Sequence, residues 1–325
     1  MTTLRQALER AWEARAALHN AEGITSTYRL FDGRWEGVEG WTVDRYGGAI
    51  LVQNFHREGA DESQLSEVIS FFQQRLGEST CVFLKERGLR LPERSIGRQV
   101  LGAGPASIVV SEGGLRFGID FLSGPNTGLF LDARPIRAWV REHSSGLRVL
   151  NLFSYTAAFG VATVAGGARS VTNVDIVPSA VERGRANFER NGLLSDSRTH
   201  MKAEVFDFLK RAAKSGQTWD AIIADPPPVP TAGKRGKGKR NRGFDPSADL
   251  ERLMRLAHQR LASGGWLLAC SALRGTARFE DRLPSGPAPS QPLSRGLDFP
   301  GPAEEGLRAW VVPASEETPG SVRPD

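Results

Sequence analysis

Two aspartates stand where a carboxylate can do chemistry. Asp175 closes a strand-like stretch over 170–174, and Asp225 closes an apolar one over 221–224, just before Pro226, Pro227 and Pro228. Each run reads as a short β-strand ending in a carboxylate. In open α/β sheets, ligands bind outside the carboxyl ends of the strands, and an acidic residue ~20 positions beyond the first turn holds ribose hydroxyls. Asp175 stands in that relation to the polar turn Ser154-Tyr155-Thr156. Asp225-Pro226-Pro227 follows two βα units later, where rigid prolines fix backbone carbonyls around a flat pocket that suits a planar base. Glu204, ahead of a helical stretch, either meets an adenine amine or serves the positive end of that helix. Cys270, on an apolar run over 266–270, is either a nucleophile or a buried strand cysteine.

These residues need a scaffold that brings strand ends to one rim. Residues 148–153 form an apolar strand suited to burial on both faces. A small-residue helix over 157–165 follows and stops at Gly166-Gly167. Strands over 170–174, 199–202, 221–224, 266–270 and 307–312 then alternate with helices over 179–191, 205–214 and 247–262. That alternation predicts an α/β, doubly wound, mostly parallel sheet. The stretch lacks G-x-G-x-x-G, which favours a nucleoside cofactor without pyrophosphate, such as S-adenosylmethionine, over a dinucleotide. A hairpin over 107–119 and a helix over 136–143 lead into this domain.

Upstream, a helix over 3–20 has Leu4, Leu8, Ala11, Trp12 and Leu18 on one stripe, which Arg15 interrupts. Strands over 28–31, 41–43, 49–55 and 81–85 and a helix over 64–76 make a small α+β unit. Lys85, Arg87, Arg90 and Arg94 follow as a basic cluster that either meets phosphate or is a solvated edge. The expected organisation is an N-terminal helix in 1–22, a small α+β domain in 23–105 and the doubly wound domain in 106–325, with 284–292 a loop and 313–325 a frayed tail.

Hydrophobic residues make up 40% of the 325, charged residues 24%, and the net charge is +5. No apolar run approaches the ~20 residues of a membrane span, and the first twenty residues are too charged for a signal peptide. Cys81 and Cys270 are too few for a disulfide framework and fit a reducing cytoplasm. The histidines show no ligand spacing, so no metal is expected. The positive charge is local. Lys234, Arg235, Lys237, Lys239, Arg240 and Arg242 lie in one glycine-rich segment without acidic residues; without those six, 36 basic residues face 37 acidic ones. Such a segment is suited to a polyanion, RNA above all, or is simply a solvated loop.

N-L-F-S-Y-T at 151–156, V-D at 174–175, V-F-x-F-L at 205–209, D-P-P at 225–227 and T-G-L-F-L-D-x-R at 127–134 together resemble bacterial class I S-adenosylmethionine-dependent 23S rRNA methyltransferases. Y-R-L-F-D-G at 28–33 and W-T-V-D-R-Y-G-G-A-I-L-V-Q at 41–53 look like the small domain that precedes the catalytic one in that family. The resemblance spans Leu4 to Trp310 and touches two branches, one making 5-methylcytosine and one 7-methylguanine. It implies a Rossmann-like methyltransferase domain. Its cofactor site would be built by Asn151, Phe153, Tyr155 and Thr156, with Asp175 on the ribose and Glu204 near the adenine. Asp225 would lie at the reaction centre, and Arg134 and Asp132 at the methionine end.

Four features depart from the family pattern. A counterpart of the PUA domain that many 5-methylcytosine members carry is not expected in this chain. Ala157-Ala158 stand where glycine is usual, and a methyl there can crowd the methionine moiety. Pro228 follows D-P-P. The nucleophilic cysteine of the 5-methylcytosine branch aligns with Ala272, two residues beyond Cys270, a displacement of ~7 Å along a strand. Methylation of pyrimidine C5 needs transient thiolate addition at C6, whereas guanine N7 is already nucleophilic and needs only positioning. Leu273-Arg274-Gly275 resembles the K-R-G of the 7-methylguanine branch. The expected activity is methylation of an RNA base, with catalytic roles for Asp225, Pro226, Pro227 and, in the covalent variant, Cys270. The alternatives are a non-catalytic RNA- or cofactor-binding protein of the same fold and a small-molecule methyltransferase.

Overall fold

Leu4, Ala7, Leu8 and Ala11 recur at three- and four-residue spacing, and α1 (Leu4–Ala14) buries all four as one stripe. Thr3 and Gln6 close its first turn as a reciprocal capping box. The computed structural model describes residues 2–20, 24–89, 96–231, 235, 236, 239, 240, 243–273, 279–284, 293, 295–302 and 305–314. These fall into two compact units, Met1–Arg134 with Arg295–Pro302, and Pro135–Ser294 with Ala303–Asp325.

In the first unit, α2 (Ala16–His19), β1 (Thr27–Asp32), α3 (Gly33–Glu36), β2 (Trp41–Tyr46), β3 (Ala49–Asn54), α4 (Glu62–Leu76), β4 (Cys81–Glu86) and β5 (Gly97–Leu101) follow α1. The sheet order is β1-β2-β3-β4-β5. Only β3 and β4 are parallel, because α4 carries the chain back across the sheet. The core packs Leu8, Ala11, Phe71 and Phe72 of the helices onto Leu30, Val43, Val52 and Leu84 of the strands. Strand β5 and helix α3 escaped the sequence reading, since both are short and mostly polar.

The first unit also includes the hairpin of β6 (Ser107–Glu112) and β7 (Leu115–Asp120). The chain therefore divides after Arg134, beyond the boundary expected at 105. The hairpin is tied to the segment before β1: Ser26 N–H donates to the Ser111 carbonyl at 2.9 Å, and Gly113 N–H donates to Thr25 Oγ1 at 3.0 Å.

Arg15, which interrupts the apolar stripe, is 1% exposed. It ends α1 and donates to the carbonyls of Ala11 (2.8 Å), Arg29 (2.7 Å) and Asp298 (3.0 Å), and to both oxygens of Glu36 (2.7 and 3.1 Å). A buried guanidinium is tolerable only when its donors are satisfied in this way.

The second unit contains α5 (Arg134–Glu142) from Pro135 onward, β8 (Arg148–Leu152), α6 (Ala158–Ala165), β9 (Ser170–Asp175), α7 (Pro178–Arg190), β10 (His200–Lys202), α8 (Val205–Lys214) and β11 (Trp219–Ala224). A two-residue ladder, β12 (Arg235–Gly236) with β13 (Lys239–Arg240), is followed by α9 (Pro246–His258), β14 (Leu261–Ser271) and β15 (Arg308–Pro313). The sheet order is β10-β9-β8-β11-β14-β15, all parallel except β15. This is the expected doubly wound α/β class.

One face of this sheet carries the apolar core: Leu150, Leu152, Val174, Ile222, Ala224, Leu267 and Ala269 pack against Leu209, Leu253 and Met254. The other face carries a buried polar row in direct register, His200 beside Asn173 beside Asn151. Among the described residues no helix is long and apolar enough to cross a membrane, and no group of three or more His, Cys, Asp or Glu side chains could hold a metal ion.

Candidate functional site

The chain runs outward from β8 to β9 and β10 on one side, and to β11 and β14 on the other. Strand order therefore reverses between β8 and β11, and the loops after these two strands diverge and leave a crevice at their carboxyl ends. Leu152 pairs with Ala224 as the last rung of that ladder. Phe153 and Asp225 thus open the two sides of the crevice.

The turn from β8 into α6 has an unusual backbone. Phe153, Tyr155 and Ala157 have φ of 56°, 48° and 57°, a region that L-residues rarely adopt and that costs ~1–2 kcal/mol each. Hydrogen bonds hold it there. Ser154 N–H donates to the Val174 carbonyl at 3.0 Å and Ala157 N–H to the Ser154 carbonyl at 2.8 Å. Tyr155 N–H donates to Asp175 Oδ2 at 2.8 Å.

Asp175 is 8% exposed, and its other oxygen accepts Val177 N–H at 2.8 Å. Burial pushes its carboxyl above the usual range, and the backbone donors Val177, Tyr155 and Ile176 oppose that shift. The three backbone donors leave about one of the carboxylate's roughly four acceptor sites open, enough for a further hydrogen bond from a hydroxyl. Directly beyond it Ile176 and Val177 are 42% and 47% exposed, an apolar shelf beside a carboxylate. A nucleoside has that chemistry: ribose hydroxyls next to a flat base. Ile176 is not among the expected cofactor residues; its signal in the sequence is an apolar residue placed just beyond a strand-ending carboxylate.

The other expected cofactor residues divide into rim and support. Phe153 and Tyr155 are half-buried at the rim. Asn151 and Thr156 are each 1% exposed and lie beneath it. Asn151 Nδ2 donates to Asn173 Oδ1 at 2.8 Å and so builds the polar row, while its own Oδ1 is buried with no hydrogen-bond partner among the described residues. The Thr156 carbonyl accepts Asn187 Nδ2 at 3.0 Å. Glu204 is the N-cap of α8, with Oε2 accepting Asp207 N–H at 2.8 Å, which accounts for a carboxylate there by local structure. The Ala157 methyl does not crowd the rim: it is 1% exposed, and a Cβ added at Gly184 would stand 3.1 Å from it.

Arg134 and Asp132 fall in the first unit. There Arg134 Nη2 donates to Asp298 Oδ1 at 2.6 Å, and Asp298 is fully buried. The basic cluster is likewise engaged within that unit. Lys85 is buried and donates to the Gly124 carbonyl at 2.8 Å, and Arg87 donates to the Pro125 carbonyl at 2.6 Å. The anticipated phosphate role does not fit Lys85, since a phosphate cannot reach it. Arg90 and Arg94 lie outside the described residues.

Across the crevice, Asp225 and Pro227 are half-buried, Pro226 is buried and Pro228 is exposed. Ala224 also pairs with Ala269 of β14, so Cys270 follows at the level of Asp225. Cys270 is 0% exposed, and burial with the neighbouring Asp225 carboxylate raises its thiol well above the ordinary value. A thiol held protonated in a core is a poor nucleophile. The covalent role expected for Cys270 is therefore not what this geometry favours, while Ala272 offers no sulfur.

An aromatic wall starts from Phe153 at the rim. The Phe153 and Phe244 rings meet edge-on with centroids 5.0 Å apart, Phe206 stacks on Phe244 at 6.3 Å, and the Arg252 guanidinium lies over the Phe206 ring at 4.4 Å. Thr231 N–H donates to the Phe244 carbonyl and Phe244 N–H to Thr231 Oγ1, both at 2.9 Å. These bonds close the base of the basic segment. Within it, Lys234, Lys237 and Arg242 and the side chains of Arg235, Lys239 and Arg240 lie outside what the structure describes, as do Arg274 and Gly275.

Comparison with known proteins matches residues 28–281 to a family model described as S-adenosylmethionine-dependent methyltransferase. A Klebsiella pneumoniae (strain 342) protein named ribosomal RNA large subunit methyltransferase I is 33% identical over 281 residues, 84% of this chain and 67% of its own. A protein of the same name from Aeromonas salmonicida is 32% identical over 284 residues, 84% of this chain and 68% of its own. Among solved structures, "a putative sam-dependent methyltransferase from Streptococcus mutans" superposes with a TM-score of 0.81 at 24% identity, covering 96% of this chain and 82% of that one. This last likeness is one of fold.

Proposed function

The chain belongs to the family of S-adenosylmethionine-dependent methyltransferases, and we propose that it methylates a base of large-subunit ribosomal RNA. The observation that carries the site assignment is the crevice where strand order reverses. It has the Asp175 carboxylate and the strained Phe153–Ala157 turn on one side and Asp225-Pro226-Pro227 on the other. The relatives named for ribosomal RNA supply the substrate class, and the six clustered basic residues supply the charge that an RNA backbone needs. A cytoplasmic site of action follows from that substrate.

The residues at the crevice fit the cofactor. Asp175 would hold the ribose hydroxyls, Ile176 would pack against the adenine, and Phe153 and Tyr155 would border the remainder. Bound S-adenosylmethionine supplies a methyl group on a positively charged sulfur, which an in-line nucleophile removes. Asp225-Pro226-Pro227 holds the target base out of its stack, with the Asp225 carboxylate and the fixed carbonyls as hydrogen-bond acceptors. Because Cys270 is buried and kept protonated, the methylated atom is one nucleophilic in its own right, such as guanine N7, and positioning is the main catalytic contribution.

The test is to incubate the purified chain and S-adenosylmethionine with ribosomal RNA from a strain lacking the gene, then analyse nucleosides by mass spectrometry. A gained 7-methylguanine is the expected result. A gained 5-methylcytosine would reinstate a cysteine nucleophile, and no gain on any large-subunit RNA would overturn the assignment.

A further inference from the structure

We propose that Asn187, on α7, is a positioning residue that presets the cofactor rim by holding the turn after β8 in its left-handed form. The inference rests on the cofactor reading of that rim and is independent of the RNA substrate. The strained turn has three non-glycine residues at positive φ, so left to itself it would relax toward ordinary backbone angles. Relaxation would move the Tyr155 N–H off Asp175 and dismantle the rim.

What opposes this is one face of α7. Asn187 is 1% exposed, and its Nδ2 donates to the Thr156 carbonyl at 3.0 Å. Its Oδ1 accepts from Arg190 Nη1 at 3.2 Å. A guanidinium only donates, which fixes the amide orientation and turns the nitrogen toward Thr156. Thr156 is itself 1% exposed, so without Asn187 its carbonyl has no ready access to water.

Gly184, three residues earlier on the same face, allows the close approach: a Cβ there would stand 3.1 Å from the Ala157 methyl and 3.3 Å from His200 Nδ1. From the other side, α6 sits on the polar row. A Cβ at Gly160 would come 2.2 Å from Asn173 Oδ1, the atom that accepts from Asn151. The turn is thus gripped by one amide between two glycine contacts. Asn187 touches neither cofactor nor substrate by its own side chain; it acts through Thr156 and Ala157.

The experiment measures S-adenosylmethionine affinity by calorimetry, and turnover at saturating cofactor, for wild type, Asn187→Leu, Asn187→Asp, Ala157→Gly and each Asn187 variant combined with Ala157→Gly. In any Asn187 variant that folds, Kd is expected to rise about tenfold or more while kcat at saturation stays within about threefold. Ala157→Gly, which makes the left-handed angle natural, is expected to recover most of the lost affinity. A wild-type Kd at position 187, or a loss that Ala157→Gly leaves untouched, overturns the proposal. As a second measurement, the Tyr155 and Ala157 amides of cofactor-free wild type should resist hydrogen exchange; full exchange until cofactor is added would show that the turn is not preset. A wild-type chain that fails to bind the cofactor would sink the reading on which the inference rests, a result distinct from binding that is indifferent to Asn187.

Discussion

Asp175 Oδ2 accepts the Tyr155 N–H at 2.8 Å, which makes the carboxylate at the end of β9 and the strained turn after β8 one hydrogen-bonded piece. The residue expected to hold ribose also holds the loop beside it. Asp175→Asn keeps an acceptor but loses the charge, and is expected to weaken cofactor binding by about ten- to a hundred-fold. The carboxyl is raised above its ordinary value by burial, so cofactor affinity should fall with acid at a higher pH than an exposed aspartate would give. Titration of Kd against pH, with Asp175→Asn as a flat control, checks both; a pH-independent wild type would refute the assignment.

Ala157 sits at φ 57° with its methyl buried. Glycine there relieves ~1–2 kcal/mol of left-handed strain and forfeits ~0.8 kcal/mol of buried methyl. Ala157→Gly should therefore be neutral or stabilising by up to ~1 kcal/mol. Ala157→Val adds a β-branched side chain at an angle it resists, against a packed α7, and should cost more than ~2 kcal/mol. Denaturant unfolding separates the two, and equal stabilities would show that the turn is not strained.

Cys270→Ala tests the chemistry. A buried, protonated thiol contributes packing only, so turnover should stay within about threefold of wild type. A loss of a thousandfold or more would identify a covalent catalyst instead.

Asp298 is fully buried in the first unit, where it takes Arg134 on Oδ1 at 2.6 Å and the Arg29 N–H on Oδ2 at 3.0 Å. Removing one partner of a buried ion pair strands the other, a loss of ~3–5 kcal/mol. Asp298→Ala should show that loss in chemical unfolding; a change below ~1 kcal/mol would mean that solvent reaches Arg134 freely.

His200 is buried, and burial with nearby Arg185 pushes it down from 6.5 to about 4. Its folded value lies below its unfolded one, so the unfolded chain binds the extra proton first as pH falls. Stability should be fully present above 6.5 and decline progressively as pH drops toward about 4. His200→Gln should flatten that part of the stability profile, and an unchanged slope would exclude His200 as its source.

The alternation of strand and helix after 148 was legible because buried parallel strands are nearly continuous apolar runs and amphipathic helices repeat every three to four residues. Asp175 and Asp225 could be placed at strand ends for the same reason, since a carboxylate cannot continue an unpaired buried strand. The aromatic wall and the Asn151–Asn173 row were not legible. They depend on which strands become neighbours, and Asn151 lies 22 residues from its partner.

Nor could linear order show that Arg15 would be swallowed by carbonyls and Glu36, or that Arg134 would meet Asp298, 164 residues later. The three left-handed residues were equally hidden, because Phe, Tyr and Ala carry no local preference for positive φ. Local pattern determined which elements form and which of their ends carry charge. Only tertiary packing, through the desolvation that drives most buried polar groups to find a partner, decided which of those residues face the crevice and which hold it in shape.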